Sequence, residues 1–306
     1  MVSHPREVNG PSPFHGHDFR PRAVAFAKAE APWDEAGMAR KPWQKSPSDR
    51  SGWNTRPPRP RGRMRPSPLA SDGPSILYGW HTVKAALENP ARRFHRIQAT
   101  ENAIRRLTED AVTLPIAPEL VRPDVIDARL GPDAVHQGLL AEADPLDAPA
   151  ADELAPEGIV IVLDQVTDPH NVGAMMRSAA AFGARAIVTT ARHSPEATGV
   201  LAKAASGALE LVPMVTVQNL ARGMEALRDR GFLLVGLDGE GDVDLADAAM
   251  RAPMALVLGA EGKGLRQLTK ATCDIVARID LPGAIKSLNV SNAAVLALYV
   301  ASRKLG

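Results

Sequence analysis

From Ile159 to the last residue the chain alternates short apolar runs with helical periodicity, and that alternation restricts its architecture more than any other feature. IVIVLD (159–164), AIVTT (186–190), LVPMVTV (211–217), FLLVGLD (232–238), MALVLG (254–259) and DIVARIDL (274–281) read as strands. Helices are expected over 172–182, 196–205, 218–230, 264–272 and 289–303. Strands that are apolar along their whole length must be covered on both faces, which predicts an α/β fold around a parallel sheet. Ligands of such sheets bind beyond the carboxyl ends of the strands.

Two further segments precede this region. Residues 74–146 read as a small α/β unit: ILYGWHTVKAALEN gives a strand, a turn at Gly79 and a helix, and HQGLLAEA gives a closing strand from Gln137. The stretch from Asp144 to Gly158 is rich in Pro, Ala and acid and marks a boundary, with 147–157 as linker and 158–306 as the second domain. Residues 1–73 hold 12 of the 26 prolines and show no sustained periodicity, so disorder is expected there. This tail carries 13 Lys and Arg against 7 Asp and Glu, whereas the remainder carries 23 against 28. The stretch RPPRPRGRMRPSP with Trp33, Trp43 and Trp53 before it suits single-stranded nucleic acid, where bases stack and phosphates pair; a solubilising tail is the alternative.

The single cysteine, Cys273, excludes an internal disulfide framework and argues against a cysteine-based metal site. No apolar run approaches the roughly 20 residues of a membrane span, and MVSHPREVNG lacks the apolar stretch of a signal peptide. These features predict a cytoplasmic protein with no membrane partner.

Three strand ends carry unusual loops, and each leads into a helix: DQVTDPHNVG (164–173), GAEGKG (259–264) and LPGAIKSLNVSN (281–292). In the first, Asn171 reads as the helix N-cap. The helix that follows has Val172, Met175, Met176, Ala179 and Gly183 on one stripe, with Gly173, Arg177, Ala180, Ala181 and Ala184 on another. An arginine among such small side chains implies close packing around a shared site. The glycines at 259, 262 and 264 let a ligand approach the backbone. Their G-x-x-G-x-G spacing after a late strand is not a dinucleotide fingerprint. Ser287, Asn289, Ser291 and Asn292 exceed what one helix cap can use, and the apolar helix after them must be buried, in part against another subunit.

Taken in order, DPHNVGAMMRSAAAFGA, LVLGAEGKGLR and LPGAIKSLNVSNAAVLALY resemble the three motifs of the SpoU/TrmH branch of the SPOUT RNA methyltransferases. The smaller unit resembles the RNA-binding domain that precedes the catalytic domain in the RlmB-type 23S rRNA enzymes, less closely from about Thr100 to Pro132. The resemblance implies a knotted (trefoil) SPOUT methyltransferase domain acting as a homodimer on a ribose 2′-hydroxyl of RNA, most directly a guanosine of 23S rRNA. A tRNA substrate, or a non-catalytic RNA-binding protein on the same fold, is the alternative. It also implies S-adenosylmethionine as cofactor, held by Leu258, Gly259, Ala260, Gly262, Ile279, Leu281 and Leu288, with no metal. Carried over onto matching positions, Asn171, Arg177, Glu261, Ser287 and Asn289 are the catalytic set. A guanidinium keeps its proton to above about pH 12, so Arg177 is assigned as a clamp on phosphate and developing oxyanion charge.

Overall fold

IVIVLD is buried at all six positions, and its odd and even residues enter different cores. That is the central strand of a computed structural model that describes residues 73–191 and 199–306. The tail up to residue 72, and the beginning of the helix expected over 196–205, lie outside the described residues.

The smaller unit runs β1 (Ser75–Tyr78), α1 (Trp80–Glu88), β2 (Phe94–Ala99), α2 (Glu101–Glu109), β3 (Glu119–Leu120), α3 (Pro123–Leu130) and β4 (Leu139–Ala143). Its strands lie in the order β1-β4-β2-β3, antiparallel except for β2 with β3. Leu77, Val83, Ile97, Leu107 and Leu139 fill its core.

The larger unit runs β5 (Ile159–Asp164), α4 (Pro169–Ala181), β6 (Ala186–Thr190), α5 (Gly199–Ala205), a 3₁₀ turn (Ala208–Glu210), β7 (Met214–Val217), α6 (Leu220–Asp229), β8 (Leu233–Leu237), β9 (Val243–Asp244), β10 (Met254–Gly259), α7 (Gln267–Thr272), β11 (Ile275–Arg278) and α8 (Val290–Leu305). Its seven strands lie in the order β7-β6-β5-β10-β8-β11-β9, and every pair is parallel. On one face Ile161, Leu163, Ile187 and Leu256 meet Met175 and Met176 of α4 and Leu298 of α8. On the other, Val160, Val162, Val188 and Val257 meet Met224 and Leu227 of α6. From β5 the chain moves toward β6, and from β10 it moves toward β11. The loops after these two neighbouring strands therefore diverge and leave a crevice at their carboxyl ends.

Several expectations need correction. The strand expected over 211–217 starts only at Met214, because the 3₁₀ turn precedes it and Leu211 is exposed. The strand expected over 274–281 ends at Arg278, and the edge strand β9 is too short to show in the pattern. The boundary stretch is not a free linker: Ala151 and Leu154 are buried against the α6 side of the sheet. Asn171 is not the cap of α4. Asp168 is, accepting from the His170 N–H at 3.0 Å, with Pro169 in the first helical position. Within its own chain the last helix is buried along one side only. Ala294, Ala297, Leu298 and Ala301 are buried, but Val295, Leu296 and Tyr299 on the opposite stripe are exposed.

The small-residue stripe of α4 has a local explanation. A Cβ on Gly173 would collide with Ala204 and stand 2.8 Å from the Ala204 carbonyl carbon, so the glycine lets α5 lie directly on α4. Overpacking of this kind costs about 1–3 kcal/mol. Close approach thus occurs at Gly173, while Arg177, one turn on, is exposed.

Candidate active site

Two adjoining cavities occupy the crevice. The first, about 250 Å³, is lined by all seven residues expected to hold the cofactor: Leu258, Gly259, Ala260, Gly262, Ile279, Leu281 and Leu288. Ser287, Lys286, Asp238 and Glu261 also line it. The second, about 470 Å³, is lined by Gln165, Val166, Thr167, Asp168, Asn171, Ala260, Glu261, Lys263 and Val290. Ala260, Glu261 and Val290 belong to both, so one opens beside the other.

The floor of the first cavity is built by the 259–265 loop, which is tied down from three directions. It closes on itself through Gly264 N–H to Ala260 O at 2.9 Å. A Cβ on Gly259 would collide with Gly264 and lie 2.5 Å from the Leu265 nitrogen, so only glycine allows that fold. Asp164, at the end of β5, has a fully buried side chain. It accepts from the Arg266 guanidinium at 2.6 Å and from the Arg266 backbone N–H at 3.0 Å. Without those donors its burial would be strongly unfavourable. Asp238, just after β8, accepts from Leu265 N–H at 3.3 Å, Glu240 N–H at 3.0 Å and Lys270 Nζ at 3.2 Å. Burial alone would raise the Asp238 pKa, but these two N–H groups and the Lys270 ammonium outweigh it and hold the carboxyl below its usual range.

The third loop meets the first through one side-chain bond. Asn289 caps α8, its Oδ1 accepting from the Ser291 N–H at 2.9 Å and the Ser291 hydroxyl at 2.5 Å. Its amide Nδ2 donates to Asn171 Oδ1 at 3.0 Å. The structure thus brings together Asn171, Glu261, Ser287 and Asn289. Arg177 is not among them: it lies six residues along α4 from Asn171, lines neither cavity, and makes no hydrogen bond or ion pair among the described residues.

Apolar walls at Leu258, Ile279, Leu281 and Leu288, with exposed backbone between them, suit an adenosine and an amino-acid tail. The N–H groups of Gly283 to Leu288 make no hydrogen bond among the described residues, and Lys286, Ser287 and Leu288 bring theirs to the cavity lining. The residues present therefore fit S-adenosylmethionine. Cys273 has no part in the chemistry: burial above all pushes its thiol up to about 12. Among the described residues no cluster of His, Cys, Asp or Glu is arranged to hold a metal ion, and no helix is long and apolar enough to cross a membrane.

Asp164, Arg266 and Asp238 were not anticipated. A signal existed for Asp164, a carboxylate ending an otherwise apolar strand, but its partner stands 102 residues away.

Comparison with known proteins bears on this site. Residues 158–299 match the model of the SpoU rRNA Methylase family, and residues 76–149 match that for RNA 2'-O ribose methyltransferase substrate binding. A 23S rRNA (guanosine-2'-O-)-methyltransferase RlmB from Ralstonia nicotianae is 40% identical over 238 residues, 75% of this chain and 95% of the relative. The chain belongs to the SpoU rRNA methylase family. The corresponding enzyme of Pectobacterium atrosepticum is 36% identical over 245 residues, 76% of this chain and 98% of its own length. Among solved structures, the SpoU methyltransferase AviRb from Streptomyces viridochromogenes in complex with AdoMet is similar. It aligns with a TM-score of 0.66 and 26% identity, over 76% of this chain and 91% of that one. As a SpoU family member the chain is an RNA methyltransferase with S-adenosylmethionine as its cofactor.

Proposed function

We propose that this chain methylates the ribose 2′-hydroxyl of a guanosine in 23S rRNA, as the names of its relatives describe for those proteins. The observation that carries the reading is the convergence of all three loops on two adjoining cavities, one apolar with free N–H groups and one polar beside it.

S-adenosylmethionine, when bound, supplies an electrophilic methyl group. Leu258, Gly259, Ala260, Gly262, Ile279, Leu281 and Leu288 hold it. A 2′-hydroxyl is a weak nucleophile, so the chain's own residues must orient it and help its proton leave. Asn171, fixed by Asn289, orients the ribose in the polar cavity. Glu261, at the border of both cavities, organises the approach. Asn289 holds the far end of the third loop in place, and Ser287, which lines the cofactor cavity, meets the reactants from that loop. Arg177 clamps the neighbouring phosphate and developing negative charge, a role suited to its planar fork of donors.

In one protomer Arg177 stands apart from the cavities, so this role requires a second copy to bring it to the site. The exposed stripe Val295, Leu296 and Tyr299 on α8 is an apolar face for that copy to cover. The reading therefore includes a homodimer, a C-terminal segment threaded as a trefoil knot, residues 74–146 as the RNA-binding domain, and action in the cytoplasm.

The test is methyl transfer by the purified protein from labelled S-adenosylmethionine to 23S rRNA and to tRNA, with the product digested to nucleosides. The expected product is 2′-O-methylguanosine from 23S rRNA alone. Label in a base, or in tRNA only, would overturn the assignment.

A further inference from the structure

Among the described residues four that are not glycine have left-handed backbone: Ala111 (φ 52°), Gln137 (φ 53°), Gln165 (φ 61°) and Ser206 (φ 50°). This conformation crowds any β-carbon. Three of the four are explained by the fold. Ala111 and Ser206 stand just beyond the ends of α2 and α5, where left-handed residues commonly close a helix. Gln137 uses its side chain locally, its Oε1 accepting from the Trp80 N–H at 3.0 Å and from Lys203 Nζ at 3.4 Å.

Gln165 has neither reason. It follows a strand, β5, where the chain must turn sharply between the buried Asp164 and the buried Val166. Glycine would make that turn without strain. Gln165 is half-buried and lines the polar cavity beside Asn171, Glu261 and Lys263, and its amide makes no hydrogen bond among the described residues. Two other polar groups of the cavity are engaged, Asp168 in capping α4 and Asn171 in holding Asn289. Strain is carried here for a side chain that no hydrogen bond among the described residues uses, and such strain marks functional positions.

We propose that Gln165 is a specificity residue: its amide hydrogen-bonds the base edge of the nucleotide whose ribose is methylated. The inference rests on the proposed function, since it takes the polar cavity as the acceptor site. A carboxamide offers one acceptor and two donors, the set with which glutamine reads base edges, and unpaired bases in RNA present those edges freely. A base that left the amide unpaired would be bound less well.

The experiment compares full-length wild type with Gln165→Gly and Gln165→Ala on four RNAs that differ only at the acceptor nucleotide, which is G, A, C or U. The ratio of kcat/KM between the preferred and the next acceptor should narrow about tenfold in both variants, the loss of one net hydrogen bond, chiefly through KM. Gln165→Gly should melt no lower than wild type, because glycine suits the left-handed turn, so its effect cannot be ascribed to misfolding. If both variants keep the wild-type order and ratios, Gln165 does not read the base. The nucleotide that the wild type prefers tests the guanosine assignment separately, since the narrowing is expected whichever base is preferred.

Discussion

Two loops face each other across the proposed cofactor cavity, and they are held in opposite ways. The 259–265 loop is fastened to itself by Gly264 N–H to Ala260 O, to β5 through Asp164 and Arg266, and to the end of β8 through Asp238. The 281–289 loop has Pro282 to Ser287 exposed, Ile285 to 77%, and between its ends, among the described residues, only Lys286 Nζ donating to Leu281 O at 2.6 Å. Its far end is fixed, by Asn289 on Ser291 and Asn171. One wall of the cavity is therefore finished before any ligand arrives. The other has anchored ends and unused N–H groups in between, so a ligand completes it. Faults in the first wall should appear as lost stability, and faults in the second as lost binding.

Arg177, which belongs to neither wall, sets the largest expected effect. Arg177→Ala and Arg177→Lys should each lower methyl transfer by about 10²–10³-fold, the scale of removing a charge-stabilising donor. Cofactor affinity should stay within about twofold. A lysine variant with near wild-type turnover would refute the clamp. Next is the finished wall. Asp164→Ala removes both Arg266 bonds, and because Arg266 is itself half exposed the loss should be about 2 kcal/mol of unfolding free energy, with weaker cofactor binding. Unchanged melting would mean that the pair does not hold the loop.

Asp238 gives a smaller effect that depends on pH. Its carboxyl is depressed in the folded state, so its stabilisation is complete above the unfolded value of about 3.9 and is lost as pH falls through the folded one. The stability difference between wild type and Asp238→Asn should be constant from about pH 8 to 5, where the carboxylate is ionised in both folded and unfolded states, and shrink below about pH 4. A difference that grew toward acid would reverse the assignment. The smallest effect belongs to the open wall: Ile285→Ser should change stability by no more than about 0.5 kcal/mol, as measured by denaturant titration. A loss of several times that would show the loop to be packed.

The contrast between the walls also explains how much the sequence revealed. IVIVLD, AIVTT and MALVLG were legible as strands to the residue, because a continuous apolar run bounded by glycine, proline or polar residues leaves little choice of ends. Every residue expected around the cofactor lines one cavity, since the motifs sit on strand ends that a parallel sheet must gather. The N-terminus of α4 was misjudged by three residues. DPHN holds two capping side chains, and Pro169, which favours the first helical position, decides for Asp168. The fastening of the 259–265 loop was not legible, because it depends on which strands flank β10, and that order emerges only from the whole sheet. For α8 the apolar sequence shows that the helix will be covered, but not which of its residues its own chain covers.

Amide hydrogen exchange with and without S-adenosylmethionine tests the contrast most directly. On binding, the amides of Gly283 to Leu288 should move from rapid exchange to strong protection, while those of Lys263, Gly264 and Leu265, already bonded within the chain, should change little. Strong protection of residues 283–288 in the free protein, or a larger change at 263–265 than at 283–288, would contradict the account.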